Sequence, residues 1–361
     1  MKDLLLINFF SKNESGYVEH YLKKIEENHL SYDSIYFERY SKDTVAKENE
    51  ILFKEYCPTG GSRVKKIGIM SRYASLVRKA ADPKKYRGII VFTTVPSIML
   101  MDILTKKFDG RYILDIRDYT HESISLYKKM VGKIVKHSFR TVISSKGFLS
   151  FLPPSDKYTV VHNIGKGFRE AEKASGFGRK PVNIGFVGSI RYYKENVKLL
   201  EQMKNEGDYR LVYYGTTTLD CDLKSYCEEH GIRNAEFFGK YRNSEKDAIY
   251  QNIDLVNSVY GTESPETVTL TPNRLYDAAL YKIPIVASKG TFLAQLIENY
   301  GLGCSVDLDK ENLPEKLNAY IKDFSAEEFT ESCGRFLADV RKEMTEFENA
   351  VDAFAQSLKR S

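Results

Sequence analysis

Short apolar runs rich in β-branched residues recur along this chain, and stretches with helical spacing separate them. No other feature restricts the fold as much. Strands joined through helices run parallel, and a parallel sheet needs helices on both faces. In the first half the strand-like runs are Leu4–Phe10, Ile89–Thr93, Tyr112–Asp115, Thr141–Ser144 and Thr159–Val161. Val18, Tyr21, Leu22 and Ile25 mark Tyr17–Asn28 as a helix. The second half is more regular. Val182–Val187, Tyr209–Tyr214, Glu236–Phe238, Asp254–Ser258, Ile285–Ala287 and Cys304–Val306 read as strands. Helical pieces fall between them at Val197–Met203, at Leu223–His230 capped by Gly231, and from Thr291 to Gly301. Ser244 with Asp247 makes a capping box for one more helix, through Tyr250.

Between Gly165 and Lys180 the alternation lapses, and Gly165, Gly167, Gly176 and Gly178 fall among charged residues. We therefore expect a first domain over 1–165, a linker over 166–180 and a second domain over 181–334. The last segment, 335–361, is expected to be an amphipathic helix that packs across both. Ser325 and Glu328 form a capping box before it. Phe336, Val340, Met344, Phe347, Val351, Phe354 and Leu358 then recur at spacings of three and four. A chain of 361 residues suits two domains.

Composition narrows the class further. Hydrophobic residues at 42% and charged residues at 29% describe a globular protein, and no apolar run approaches the roughly 18 residues that span a bilayer. Leu4–Phe10 follows only Lys2 and Asp3, which is not a signal-peptide layout. The five cysteines (Cys57, Cys221, Cys227, Cys304, Cys333) are odd in number and lack CxxC spacing, so free thiols in a reducing cytoplasm are expected.

Ligands of doubly wound sheets bind beyond the carboxyl ends of the strands. In the first half, Ser11–Gly16, Thr94–Ser97 and Arg117–Glu122 leave such ends. In the second half, the stretch Thr271–Ser288 is the most sharply punctuated. Thr271 is a good N-cap, Pro272 suits the first helical position, Pro284 ends the helix, and Ile285-Val286-Ala287 follows as a buried strand. The N-terminus of such a helix suits a phosphate. Asn273 and Arg274 lie in its first turn, where a cation opposes the helix dipole unless it serves an anion. Asp277, one turn on, could take both hydroxyls of a ribose. On these residues alone, an ordinary βα unit with a surface Asp and a surface Arg fits equally well.

Other motifs of the second half lie at comparable places. Gly188-Ser189-Ile190-Arg191-Tyr192-Tyr193-Lys194-Glu195 leaves the first strand, and Gly215 and Gly239 close the next two. Asp277-Ala278-Ala279-Leu280-Tyr281-Lys282-Ile283-Pro284 precedes a later one. With the two-domain layout and long terminal helix, these resemble GT-B glycosyltransferases, and more specifically retaining enzymes of the family 4 type. That family carries G-R-x-x-x-x-K-G after a strand, with Arg and Lys on the donor diphosphate. Here Lys194 falls on the family Lys, Ser189 replaces the Arg and Glu195 the last Gly; Arg191 stands two residues on as a substitute cation. The family's E-A-x-x-x-G-x-P matches with Asp277 for the ribose Glu and Lys282 for Gly. The Glu eight residues earlier is Thr269 here, and Glu263 and Glu266 are out of register. By the resemblance the backbone after Gly239, at Lys240 and Tyr241, meets the base, and Gly16 is the first-loop glycine that approaches the donor. His162-Asn163 resembles the end of the family's N-terminal domain.

The resemblance implies two Rossmann-like domains facing a central cleft. It implies a hexosyltransferase acting on a nucleoside-diphosphate sugar, with retention, in capsule or other surface polysaccharide synthesis. In such transfer the leaving phosphate itself takes the acceptor proton, so cations aimed at the diphosphate are the main catalytic resource. Arg191 and Lys194 are the expected catalytic cations, the alternative being a solvated loop. Asp118 and His121, in the stretch DIRDYTHES, are candidates for touching the transferred sugar or the acceptor, the alternative being a charged loop. No His/Asp cluster has metal-ligand spacing, so neither metal nor cofactor is expected.

The acceptor is suggested by charge. Arg63–Arg87 holds nine Lys or Arg against one acid, Asp82, with Ile67, Met70, Ala74 and Val77 at helical spacing. Tyr127–Arg140 adds Lys128, Lys129, Lys133, Lys136 and Arg140. Basic amphipathic helices lie on anionic membrane surfaces, where a polyprenyl-pyrophosphate-linked glycan would be presented. Solvated helix faces are the plain alternative, and no nucleic-acid motif accompanies the charge. The expected place is thus the cytoplasm, on the inner face of the membrane. Two other readings remain: a GT-B nucleotide-sugar epimerase, and an inactive nucleotide- or glycan-binding module, which the missing glutamate at Thr269 keeps open.

Overall fold

Both halves of the chain build the same device, a parallel sheet whose strands lie in the order third, second, first, fourth, fifth, sixth. A computed structural model describes residues 1–40, 43–57, 63–164, 170, 171, 174, 176–217 and 222–360. Gly165, Gly167, much of the expected linker and Cys221 lie outside the described residues. Two compact units result: Met1–His162 with Lys342–Ser361, and Asn163–Arg341.

The N-terminal unit runs β1 (Lys2–Ile7), α1 (Val18–Glu27), β2 (Tyr32–Glu38), β3 (Glu50–Lys54), α2 (Arg63–Ala80), β4 (Tyr86–Phe92), α3 (Thr94–Met99), α4 (Met101–Lys107), β5 (Tyr112–Ile116), α5 (Ser125–His137), β6 (Arg140–Ile143) and β7 (Tyr158–Val160). Its seven-stranded sheet has the order β3-β2-β1-β4-β5-β6-β7. Side chains alternate across it. Leu5, Ile7, Val91 and Leu114 meet Tyr73, Val77, Leu104 and Ile134 on one face. Leu4, Leu6, Ile90 and Ile113 meet Val18, Tyr21 and Ile25 on the other, with Phe347, Val351, Phe354 and Leu358 of the terminal helix. Gly88 of β4 is small for that reason: a Cβ there would stand 2.9 Å from Leu358.

The C-terminal unit runs β8 (Val182–Val187), α6 (Tyr193–Gln202), β9 (Tyr209–Tyr214), α7 (Leu223–His230), β10 (Ala235–Gly239), α8 (Lys246–Gln251), β11 (Leu255–Ser258), α9 (Pro265–Thr269), α10 (Asn273–Tyr281), β12 (Ile285–Ser288), α11 (Phe292–Tyr300), β13 (Gly303–Val306) and α12 (Leu313–Lys322). The order is β10-β9-β8-β11-β12-β13. The last element, α13 (Ala326–Arg360), is a single helix that begins in this unit and ends in the other. Its first turns pack here, with Phe336 against Tyr300 at 5.2 Å and Asp339 accepting from the Tyr300 hydroxyl at 2.7 Å. It is therefore not a separate piece over 335–361.

Several local expectations need correction. β2 and β3 are strands that the β-branched runs do not mark. The buried stripe of α2 is Ile69, Tyr73 and Val77, while Ile67 is exposed. Tyr73 decides that rotation: its ring stacks on Phe37 at 5.2 Å, and its hydroxyl donates to the Asn8 carbonyl at 2.6 Å. Ser244 and Asp247 form no capping box. A 3-10 turn over Asn243–Glu245 precedes α8, and Glu245 accepts from the Arg242 amide at 2.6 Å. At α10 the first helical residue is Asn273, so Pro272 is the N-cap and Thr271 lies outside. The helix ends not at Pro284 but at Lys282, which takes a left-handed conformation. Thr291 and Gly301 cap α11 as expected; Thr291 Oγ1 accepts from the Ala294 amide at 3.0 Å.

Candidate functional site

Three adjacent strands of the C-terminal unit end on glycine. Gly188, Gly215 and Gly239 follow or close β8, β9 and β10, all with positive φ. Gly188 N donates to Tyr214 O at 2.8 Å and Gly215 N to Gly239 O at 2.7 Å. A Cβ on Gly215 would stand 1.7 Å from the Gly188 carbonyl oxygen. The strand ends are thus bare of side chains.

The loop from Gly188 delivers the expected cations beside this edge. Arg191 is exposed, with Nε 3.4 Å from Ser189 Oγ. Lys194 lies in the first turn of α6, exposed, 3.5 Å from Glu263. The N-terminus of α6 and two exposed cations beside it make this place electropositive. Tyr192, the left-handed N-cap of α6, reaches Glu266 Oε1 at 3.3 Å. Burial and that carboxylate push its phenol up. Glu195 explains its departure from glycine. It is buried, accepts from Lys198 at 3.0 Å and fills the space over Gly261, where a Cβ would meet its Cγ at 2.6 Å. Thr269 turns inward, its hydroxyl donating to Pro265 O at 2.6 Å.

α10 carries the second group. Asn273 is exposed, but Arg274 and Asp277 are buried. Neither is the surface residue that the plain reading of this stretch allowed. The Arg274 guanidinium lies 3.6 Å from the Phe186 ring centroid, donates to Asn257 O at 2.7 Å, and donates to the Tyr260 hydroxyl. Asp277 Oδ2 accepts from Lys246 Nζ at 2.7 Å and from the Tyr250 hydroxyl at 2.9 Å. Tyr241 is half-buried; burial and the Asp277 charge push its phenol up, against Arg274. Lys240 beside it is exposed. Lys246 and Tyr250 escaped the sequence reading because only Asp277 fell on a motif. No local pattern joins α8 to α10.

In the N-terminal unit the expected residues are exposed, and buried polar groups lie beside them. Gly16 is exposed, and a Cβ there would meet nothing within 4 Å. Asp118 and His121 are exposed, the latter edge-on to Tyr127 at 5.5 Å. The buried carboxylates of that stretch are Asp115 and Glu122. Arg117 Nη2 donates to Asp115 Oδ2 at 2.7 Å, as does the Tyr21 hydroxyl at 2.5 Å. Glu122 accepts from the Thr120 amide at 2.6 Å and from Thr94 Oγ1 at 3.1 Å. Thr93, after β4, holds φ of 71°, a strained value for a β-branched residue. The described residues contain no group of three or more acids, His or Cys placed to hold a metal ion.

Residues 167–340 match the family model described as Glycosyl transferases group 1. No curated protein matches the sequence. Among solved structures, the fold is similar to sucrose-phosphate synthase from Thermosynechococcus elongatus, at 11% identity over 99% of this chain and 98% of that one, with a TM-score of 0.68. It is similar to the lipopolysaccharide outer core galactosyltransferase WaaB, at 14% identity over 97% and 99%, with a TM-score of 0.64. It is also similar to HepE of Anabaena in complex with UDP, at 13% over 99% and 100%, with a TM-score of 0.63. The fold is therefore GT-B. The family match lies within the C-terminal unit, Asn163–Arg341.

Proposed function

We propose that the protein transfers a sugar from a nucleoside-diphosphate sugar to a glycan acceptor, with retention and without a metal ion. The observation that carries this reading is the glycine-ended edge of β8, β9 and β10 with Arg191 and Lys194 beside it. HepE, similar in fold, is described with UDP bound, and we take UDP as the first ligand, and a UDP-sugar as the first donor, to test. In the step proposed, the bond from the anomeric carbon to the diphosphate oxygen breaks. The acceptor oxygen bonds to that carbon on the same face, and the leaving diphosphate takes the acceptor proton. Arg191, Lys194 and the α6 amides hold the charge that develops. Asp118 and His121 are assigned to the transferred sugar or the acceptor.

For the acceptor we propose a lipid-linked glycan at an anionic membrane surface, within surface polysaccharide synthesis. Val64 and Ile67 on α2, and Ile124 and Leu126 at the start of α5, are exposed apolar side chains among Lys65, Lys128 and Lys129. Among the described residues no helix is long and apolar enough to cross a membrane. Surface attachment through basic helices suits that combination.

A thermal-shift panel of UDP, GDP, TDP, CDP and ADP, with and without Mg²⁺, tests the donor. A ligand at a hundredfold excess over its Kd adds about 2.7 kcal/mol. A shift from one diphosphate without metal supports transfer. Silence from all five supports the inactive module. Conversion of a nucleotide sugar without acceptor supports the epimerase. Sedimentation with phosphatidylglycerol vesicles tests the membrane, with neutral vesicles as control.

A further inference from the structure

We propose that Asn196 is a positioning residue: by holding the main chain at Arg191 and Tyr192, it aims the Arg191 guanidinium at the donor diphosphate. The inference rests on the donor reading above. It adds a residue that no motif marks, one that acts through Arg191 without touching the ligand.

Asn196 is the fourth residue of α6 and is 1% exposed. Its Nδ2 donates to Arg191 O at 2.7 Å and to Tyr192 O at 3.1 Å. Its main-chain amide also donates to Tyr192 O, at 3.1 Å. Its Oδ1 is buried and has no partner among the described residues. Asparagine is a poor residue inside a helix because its side chain competes for main-chain groups. Here that competition is directed at the two carbonyls just before the helix. Tyr192, between those carbonyls, is left-handed, with φ of 63° and ψ of 59°, a conformation that residues with a Cβ avoid. Three local costs therefore meet in one loop: a helical asparagine, an unpaired buried oxygen and a left-handed tyrosine. Costs of this kind cluster where a chain must hold a functional geometry.

The geometry they hold is an alternation of sides. Ile190 is 1% exposed, and its amide donates to Thr216 O at 2.9 Å. Tyr192 turns inward: its ring lies 5.0 Å from that of Tyr260, and its hydroxyl donates to Glu266 Oε1. Arg191, between two inward residues, is exposed. Exchanging the sides of Arg191 and Tyr192 would break both bonds from the Asn196 amide. Lys194 needs no such hold, because it is part of α6 itself. Asn196 therefore bears on Arg191 and not on Lys194. A merely structural asparagine predicts lost stability, with any loss of binding independent of which cation is present.

The experiment titrates UDP, GDP, TDP, CDP and ADP, each against its own nucleoside, into wild type and variants. The variants are Asn196→Ala and Asn196→Leu, Arg191→Ala and Lys194→Ala, and each Asn196 change combined with each cation change. Neither replacement of Asn196 can donate to the two carbonyls, and both are good helix formers, so α6 is kept. Asn196→Ala should bind the diphosphate about tenfold more weakly and the nucleoside as wild type does. Added to Arg191→Ala it should cause no further loss. Added to Lys194→Ala it should multiply the loss to about a hundredfold. Unchanged diphosphate affinity in Asn196→Ala overturns the inference, as does an equal loss of diphosphate and nucleoside. Losses that multiply with Arg191→Ala, or that fail to multiply with Lys194→Ala, overturn it too. If Asn196→Ala does not fold, Asn196→Leu decides by the same outcomes. A wild type that binds no diphosphate, or an Arg191→Ala that binds it unchanged, is the separate failure of the donor reading.

Discussion

The two units share one strand order and finish their strands differently. In the C-terminal unit the first three strand ends are glycine backbone, with φ of 129° at Gly188, 148° at Gly215 and 75° at Gly239. In the N-terminal unit the first, fourth and fifth strands run instead into buried polar side chains. Asn8 follows β1, fully buried, with neither amide atom partnered among the described residues. Thr93 follows β4 in a strained conformation, and Arg117 follows β5, paired with Asp115. One edge is bare of side chains; the other packs polar side chains under its loops. The same topology thus carries two kinds of strand end, and the difference lies in a few residues just past the strands.

The comparison breaks most visibly at Arg117. Arg117→Met leaves Asp115, wholly buried, without its cation, and removing one partner of a buried pair costs about 3–5 kcal/mol. Urea unfolding should show that loss, while protein that remains folded keeps its UDP affinity. A loss below about 1 kcal/mol would mean the pair does not organise this edge.

Next comes the glycine edge. Gly215→Ala forces a Cβ into the Gly188 carbonyl and strains a φ that L residues avoid, together about 2–4 kcal/mol. UDP binding should vanish with it. Gly16→Ala, in the loop after β1 of the N-terminal unit, meets open space and should stay within about 0.5 kcal/mol of wild type. Equal costs at the two positions would erase the distinction between the edges.

That distinction was half legible in the sequence. The glycines closing β8, β9 and β10 stand where apolar runs stop, and punctuation by glycine is a local signal. The helix ends at Thr291, Gly231 and Gly301 were readable on the same ground. β2 escaped because its register is set by pairing with β1, and propensity alone cannot supply that. The buried pairs escaped for a different reason. Asp115 and Glu122 sit beside Asp118 and His121 in one charged stretch, and only packing tells which side chains turn inward. Lys246 finds Asp277 across 31 positions of chain, a distance at which no spacing rule operates.

A smaller effect separates phosphate from nucleoside at the cationic loop. Arg191 and Lys194 are exposed, so alanine at either should leave the melting temperature near wild type. Each should weaken UDP binding about tenfold and uridine binding hardly at all. Calorimetry with both ligands checks this, and equal losses for UDP and uridine would remove the two cations from the diphosphate.

The smallest expected effect sharpens the comparison through ion pairs. In the N-terminal unit Glu343, on the last part of α13, accepts from Lys146 and lies 2.9 Å from His162 Nε2. Burial alone would raise the Glu343 carboxyl, but hydrogen bonds from His162 and Lys146 outweigh it and hold it below the usual glutamate range. A carboxyl lowered on folding stabilises fully above its unfolded value, about 4.3, and that contribution fades as the pH falls through the folded value. Glu343→Gln should therefore cost about 1 kcal/mol near neutrality, and the gap to wild type should close on acidification below about pH 4. In the C-terminal unit Lys194–Glu263 is also an ion pair, but its side chains are 74% and 66% exposed. Water screens it, so Glu263→Gln should leave the melting temperature unchanged at every pH. A pH-dependent loss in Glu263→Gln would show that Glu263 is held in place rather than solvated, and that the loop carrying the cations is as organised as the buried edge of the other unit.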